Sequence, residues 1–113
     1  MIYNPFDVVE LPFPFSDLSA SKKRKALVIS SKQFNEKSGA VTVVMITSRA
    51  NSDWPGDVEL VEWHKAGLKK PCYIRLKFFT ADKAMFIGKV GSLAKKDQLK
   101  FKESFENYIP ISG

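Results

Sequence analysis

The stretch Ala40-Val-Thr-Val-Val-Met-Ile-Thr-Ser48 decides the fold class. Branched side chains at Val41, Thr42, Val43, Val44, Ile46 and Thr47 suit a pleated, half-buried surface and predict a strand. Working outward, Ala26-Leu-Val-Ile-Ser30 is a short continuous apolar run, as a buried strand requires. Cys72–Phe79 alternates with a period of two. Cys72, Ile74, Leu76 and Phe78 are expected in the core, with Tyr73, Arg75, Lys77 and Phe79 on an open face. Phe6–Phe13 reads as a first strand, and Pro12 and Pro14 set its end at a sheet edge or barrel rim, because proline cannot donate to a ladder. Asp57–Val61 and Met85–Val90 complete the set of short strands. The polar segments Ser16–Lys23, Lys32–Gly39 and Arg49–Gly56 read as connections, and Glu62–Pro71 as irregular.

The period changes near Ala94. Phe101, Phe105 and Tyr108 fall at i, i+4 and i+7, with Leu99 and Ile109 beside them, which is one helical stripe. Ser92 is a candidate N-cap and Pro110 a stop, and the helix is expected to pack on the sheet. Strands do not alternate with helices, so a doubly wound sheet is disfavoured. The economical solution is mainly β, a small and strongly bent barrel with a C-terminal helix.

At 113 residues the chain is expected to be one domain spanning 1–113. With 44% apolar and 27% charged residues it has the composition of a folded protein. A single cysteine (Cys72) rules out an intramolecular disulfide, and with a single histidine (His64) it cannot form a structural zinc site. No apolar run approaches the ~20 residues that span a bilayer. The opening MIYNPFDVVELPFPF has no basic leader and does not read as a signal peptide. A cytoplasmic protein without a membrane partner is therefore expected.

Net charge is +6, unevenly distributed. Residues 1–21 hold Asp7, Glu10 and Asp17 and no base, so the remainder carries all 18 Lys and Arg. The change is abrupt at Lys22, Lys23, Arg24 and Lys25. A charge run of this kind is either a solvated loop or a polyanion site. Lys and Arg that neutralise phosphates release counterions, which makes nucleic acid a natural partner.

Few other chemistries are available. No GxxxxGK[ST] loop occurs, no nucleophile elbow accompanies His64, and Cys72 is expected to be an inert core filler. RNA cleavage needs less, because the substrate carries its own nucleophile, the 2′-hydroxyl. The protein must orient that hydroxyl, stabilise charge on the phosphoryl oxygens and assist proton movement. Arginine's planar fork matches two phosphate oxygens, and a Thr or Ser hydroxyl can hold a third or relay a proton. Arg24, Thr47, Ser48 and Arg75 lie at strand ends or on a strand face, where they could converge.

At these residues the sequence resembles the MazF/PemK family, the toxins of bacterial toxin–antitoxin pairs. Phe6-Asp-Val-Val-Glu-Leu-Pro-Phe-Pro-Phe-Ser-Asp17 is similar to the family's first strand and loop. Lys23-Arg-Lys-Ala-Leu-Val-Ile-Ser30 resembles its Arg-Arg-Pro-Ala-Leu-Val-Ile-Ser, and Met45-Ile-Thr-Ser48 its third-strand end. Ala66-Gly-Leu-Lys-Lys-Pro71, Tyr73-Ile-Arg75, Thr80-Ala-Asp-Lys83 and Ile87-Gly-Lys-Val-Gly-Ser-Leu93 follow its second half. The resemblance implies an SH3-like β-barrel of the MazF/PemK/CcdB type, usually a homodimer. It implies a metal-independent, sequence-selective endoribonuclease that cuts single-stranded mRNA to a 2′,3′-cyclic phosphate and a 5′-hydroxyl. No cofactor or metal is implied, and the partner would be a cognate antitoxin, acidic to match a basic surface. Arg24 and Thr47 fall on catalytic positions of the family, and Arg75 on a strand arginine that acts at the scissile phosphate in some members. Lys22, Lys23, Ser48 and Lys77 are candidate RNA contacts.

Three positions depart from the pattern. Lys25 replaces a proline, Lys77 replaces an aspartate that some members use beside the strand arginine, and Phe6 replaces a glycine. On these grounds an Arg/Asp pair at positions 75 and 77 is not expected, and the protein must rely on the Arg/Thr arrangement or be impaired. A non-catalytic barrel that binds nucleic acid or protein, or a gyrase-inhibiting toxin of the same fold, is the alternative.

Overall fold

The computed structural model describes residues 2–12, 23–48 and 53–111. Six antiparallel strands form one curled sheet, a half-barrel: β1 (Asp7–Pro12), β2 (Lys23–Val28), β3 (Ala40–Thr47), β4 (Val58–Glu59), β5 (Tyr73–Asp82) and β6 (Gly88–Ser92). They lie in the order β4-β5-β3-β2-β1-β6. The branched run that predicted a strand thus sits at the centre, paired with β2 on one side and β5 on the other. β1 pairs with β2 as far as Pro12 but with β6 only as far as Glu10, so proline occupies the rim as its missing N–H requires.

The two faces of the sheet each carry a core. One holds Val8, Leu27, Val44, Ile46, Ile74 and Leu76 under Phe101 of the C-terminal helix. The other holds Val9, Leu11, Ala26, Val28, Val41, Val43 and Ala81, closed by Tyr3 and Phe86. The odd-numbered face of β5 is therefore not open as the alternation suggested. Phe79 packs against the second core and only Lys77 of that set is exposed.

Two helices complete the chain, α1 (Lys32–Ser38) and α2 (Lys95–Tyr108). α1 falls where a polar connection was expected. Ser31 caps it by accepting from Phe34 N, and Gly39 ends it in the left-handed conformation at φ 70°. Its one buried residue, Asn35, donates to Tyr3 O. α2 starts at Ala94, not Ser92. Ser92 closes β6 instead, and Ala94 offers no side-chain cap. Fully buried Asp97 in its first turn accepts from the backbone N–H groups of Val61 and Glu62, both at 2.9 Å. A buried carboxylate is tolerable only with such partners. Phe101 is buried as expected, but Leu99 and Tyr108 stay exposed.

Two glycines join distant parts of the fold. Gly67, at φ 82°, lies against Val90 and Gly91, and a Cβ on either glycine would run into backbone of the opposite segment. Phe6 is the one non-glycine at positive φ (72°) among the described residues. That conformation costs a bulky residue about 1 kcal/mol or more. Its N–H donates to Val28 O and its carbonyl accepts from Leu93 N, which holds the strained turn in place.

Candidate functional site

The site candidates gather around Met45 on the central strand. Met45 pairs with Ala26 of β2 and with Arg75 of β5. The β2–β3 ladder stops at Ala26, two residues short of Arg24, which pairs with Leu11 of β1, while Thr47 pairs with Tyr73 of β5. Side-chain alternation from Ala26 and Val28, and from Val43 and Met45, puts Arg24 and Thr47 on the face of the second core. Arg75 shares that face. Arg24, Thr47 and Arg75 therefore lie on one face of the sheet, on three adjacent strands.

The two arginines differ. Arg24 is half-buried, and its Nε is shielded from solvent with no hydrogen-bond partner among the described residues. A buried N–H left unpaired costs roughly 1–3 kcal/mol. Arg75 is satisfied. Its Nε donates to Asp57 Oδ1 at 3.2 Å and its Nη2 to Asp57 Oδ2 at 2.9 Å, with the two side chains 13% and 14% exposed. This side-on fork leaves the Nη1 end of the guanidinium for another acceptor. Arg75 thus has an acidic partner in Asp57, while position 77 carries Lys and no Arg/Asp pair forms there. Sequence reasoning missed Asp57 because its link to Arg75 runs across strands, 18 residues apart.

Lys77 has a different role from the expected acid. β5 bulges here: Val44 pairs with Phe78 and Met45 with Arg75, which leaves Leu76 and Lys77 without partners on β3. The Lys77 ammonium sits 4.7 Å from the centre of the Trp54 ring. The Trp54 indole N–H donates to the Leu76 carbonyl at 3.1 Å. Lys25, in place of the expected proline, forms an ion pair with Glu10 at 3.0 Å across the β1–β2 ladder. Lys23 and Ser48 are exposed at the ends of their strands, near Arg24 and Thr47 in sequence. Lys22 lies outside the described residues.

The remaining reactive side chains stand elsewhere. His64 stacks on Trp63 with ring centres 3.5 Å apart. Cys72 is buried in the first core, and burial raises its thiol pKa against the smaller opposing effects of Lys70 and Lys25. Among the described residues no group of three or more His, Cys, Asp or Glu is placed to hold a metal ion, and no helix is long and apolar enough to cross a membrane.

Comparison with known proteins agrees with this architecture. No curated protein shows significant sequence similarity to the chain. Among solved structures, the MazE–MazF complex of Deinococcus radiodurans superposes with a TM-score of 0.75 at 18% identity, covering 99% of each chain. MazF alone from the same organism gives 0.72 at 19% identity, over 95% of this chain and 96% of that one. A mycobacterial endoribonuclease in complex with its cognate antitoxin gives 0.69 at 15% identity, over 94% and 91%. Residues 4–108 match the family described as PemK-like, MazF-like toxins of type II toxin–antitoxin systems. With nearly its whole length inside that match, and with the fold to go with it, the chain belongs to the PemK/MazF toxin family.

Proposed function

We propose that this chain is an endoribonuclease toxin that cuts single-stranded mRNA at preferred sequences without a metal ion. The observation that carries the reading is the buried Nε of Arg24, which has no hydrogen-bond partner among the described residues. An orphan guanidinium N–H in a basic protein suits a phosphoryl oxygen, and the hydrogen bond would be strongest when that oxygen gains charge in the transition state. In this mechanism the 2′-oxygen attacks phosphorus, the bond to the 5′-oxygen breaks, and a 2′,3′-cyclic phosphate forms. The 2′-hydroxyl loses a proton and the departing 5′-oxygen gains one. Arg24 stabilises the phosphoryl oxygens. The Thr47 hydroxyl holds an oxygen or relays a proton, and Arg75 offers its Nη1 edge to the same phosphate. Lys22, Lys23, Ser48 and Lys77 contact the flanking RNA.

The net charge of +6 favours an acidic antitoxin as the neutralising partner. Exposed Phe78, Leu99, Tyr108 and Ile109 along and beside α2 favour a homodimer that covers them. Purified protein should cleave a long single-stranded RNA in excess EDTA, leaving 5′-hydroxyl ends, and Arg24→Ala should abolish this with the fold intact. Failure to cut any long mRNA would sink the reading. One observation favours the alternative, a binding barrel without catalysis: Asp57 already neutralises Arg75. RNA binding without scission, unchanged in Thr47→Ala, would support it.

A further inference from the structure

We infer that Trp54 and Lys77 form a nucleotide subsite beside the scissile position, with an unpaired base stacked on the indole and its phosphate on the ammonium. The inference rests on the RNA reading above and names a contact that reading leaves open.

The first observation is exposure. Trp54 is 41% exposed, although tryptophan carries one of the largest apolar surfaces available for burial. The second is rigidity. The turn that bears it is fixed on both sides. Toward β5, the Trp54 indole N–H takes the carbonyl of Leu76, and Asp57 takes the fork of Arg75. Toward α2, Ser104 Oγ donates to Gly56 O at 2.6 Å. Gly56 itself, at φ 85°, lies so close that a Cβ there would meet Leu76 Cδ1 at 2.7 Å. An exposed ring on an anchored turn is preorganised, so little ordering remains to be done on binding.

The third observation is the bulge. Leu76 and Lys77 have no partners on β3, and each is turned to Trp54, one through its carbonyl and one through its ammonium. Bulges of this kind re-aim side chains next to functional sites. Lys77 lies two residues from Arg75 on the same strand, so the subsite adjoins the catalytic cluster.

The ammonium over the ring does not block a base. A surface ammonium–indole contact is worth about a third of a base–aromatic stack. Lys77 is exposed, with a flexible stem, and can lift off to meet the phosphate that arrives with the base. The ring would supply stacking, which tolerates any base, and the ammonium would supply a salt-dependent charge contact.

The test uses a mixed-sequence pool of all-2′-O-methyl RNA decamers, which cannot be cleaved because the nucleophile is blocked. A matched abasic pool keeps the phosphates. Trp54→Ala should weaken binding of the base-bearing pool roughly tenfold, while Trp54→Phe stays within about threefold. With the abasic pool, Trp54→Ala and the unmodified protein should bind alike. Lys77→Ala should lower the salt-dependence slope by about 0.7, and Trp54→Ala should leave it unchanged. In a Trp63→Phe background, the base-bearing pool should quench the remaining indole fluorescence. Equal affinity of Trp54→Ala and the unmodified protein for the base-bearing pool overturns the subsite. So does a loss that persists with abasic RNA, or a Trp54→Ala change seen only in the oligomeric state. If the decamers bind through Trp54 but no RNA is cut, the subsite stands and the ribonuclease reading falls. If Arg24→Ala abolishes cleavage while Trp54→Ala binds normally, the reverse holds.

Discussion

The first residues of β2 and of β5 each place an arginine on the same face of the sheet, and the two are held in opposite ways. Arg24 keeps a buried Nε with no hydrogen-bond partner among the described residues, whereas Arg75 has its side edge filled by Asp57. An unsatisfied buried donor is a standing cost that a bound anion would relieve. A paired one is immobile and neutralised, and contributes direction more than net charge. On the proposed reading, the same side chain serves as a receptor in one strand and as part of the wall in the other.

The largest effect should come from the receptor. Arg24→Ala should lower RNA cleavage by a hundredfold or more, measured as the initial rate on a long single-stranded substrate. Its stability should stay the same or rise slightly in thermal melts, because the substitution removes an unpaired group. The wall should behave the other way. Asp57→Ala leaves a largely buried guanidinium without its counter-ion and should destabilise the fold by about 3 kcal/mol in urea unfolding. The double variant Asp57→Ala/Arg75→Ala should recover part of that loss. If instead Arg24→Ala melts early and Asp57→Ala does not, the contrast is wrong.

Thr47→Ala should cost cleavage about tenfold, and Thr47→Ser should retain most of it, since the proposed mechanism uses only the hydroxyl. Lys25→Ala should cost at most ~1 kcal/mol, because its ion pair with Glu10 is a third exposed on the lysine side. Smallest of all, Cys72 should resist alkylation in the native protein at pH 8 and react after denaturation. Burial raises its pKa, so the thiolate fraction stays low in the folded state.

How much of this could be read from the residues varies by region. β3 and the buried Cys72, Ile74 and Leu76 were plain, because β-branched runs and alternation report local backbone directly, but Phe78, expected in the core with them, is 46% exposed beyond the bulge. The helix stripe at Phe101 was plain for the same reason. α1 was not, since it buries only Asn35 and has no apolar stripe. Its cap Ser31 and terminal Gly39 were the signs available. Ser92 looked like a cap because cap preference is local, whereas β6 claims that residue through pairing with Asp7. The second core hid the burial of Arg75, because alternation distinguishes two faces but does not say that both are covered. Arg24, Thr47 and Arg75 were legible as types at strand ends. Asp57 and Trp54 were not, because the first reaches the site across strands and the second through an irregularity in a ladder. Phe6 stands where the resembled family has glycine, and its φ of 72° is one that glycine adopts without strain.

The contact between Gly67 and Gly91 has a consequence for variation in the chain. In each case the obstacle to a Cβ is backbone, not a side chain that could shrink. No second substitution can therefore rescue the first, and the two positions form a dead end for sequence drift. Gly88, three residues before Gly91, has nothing within 4 Å of a Cβ and should accept alanine freely. In a saturation library selected for folding, positions 67 and 91 should return glycine alone, while position 88 returns a broad spread of residues.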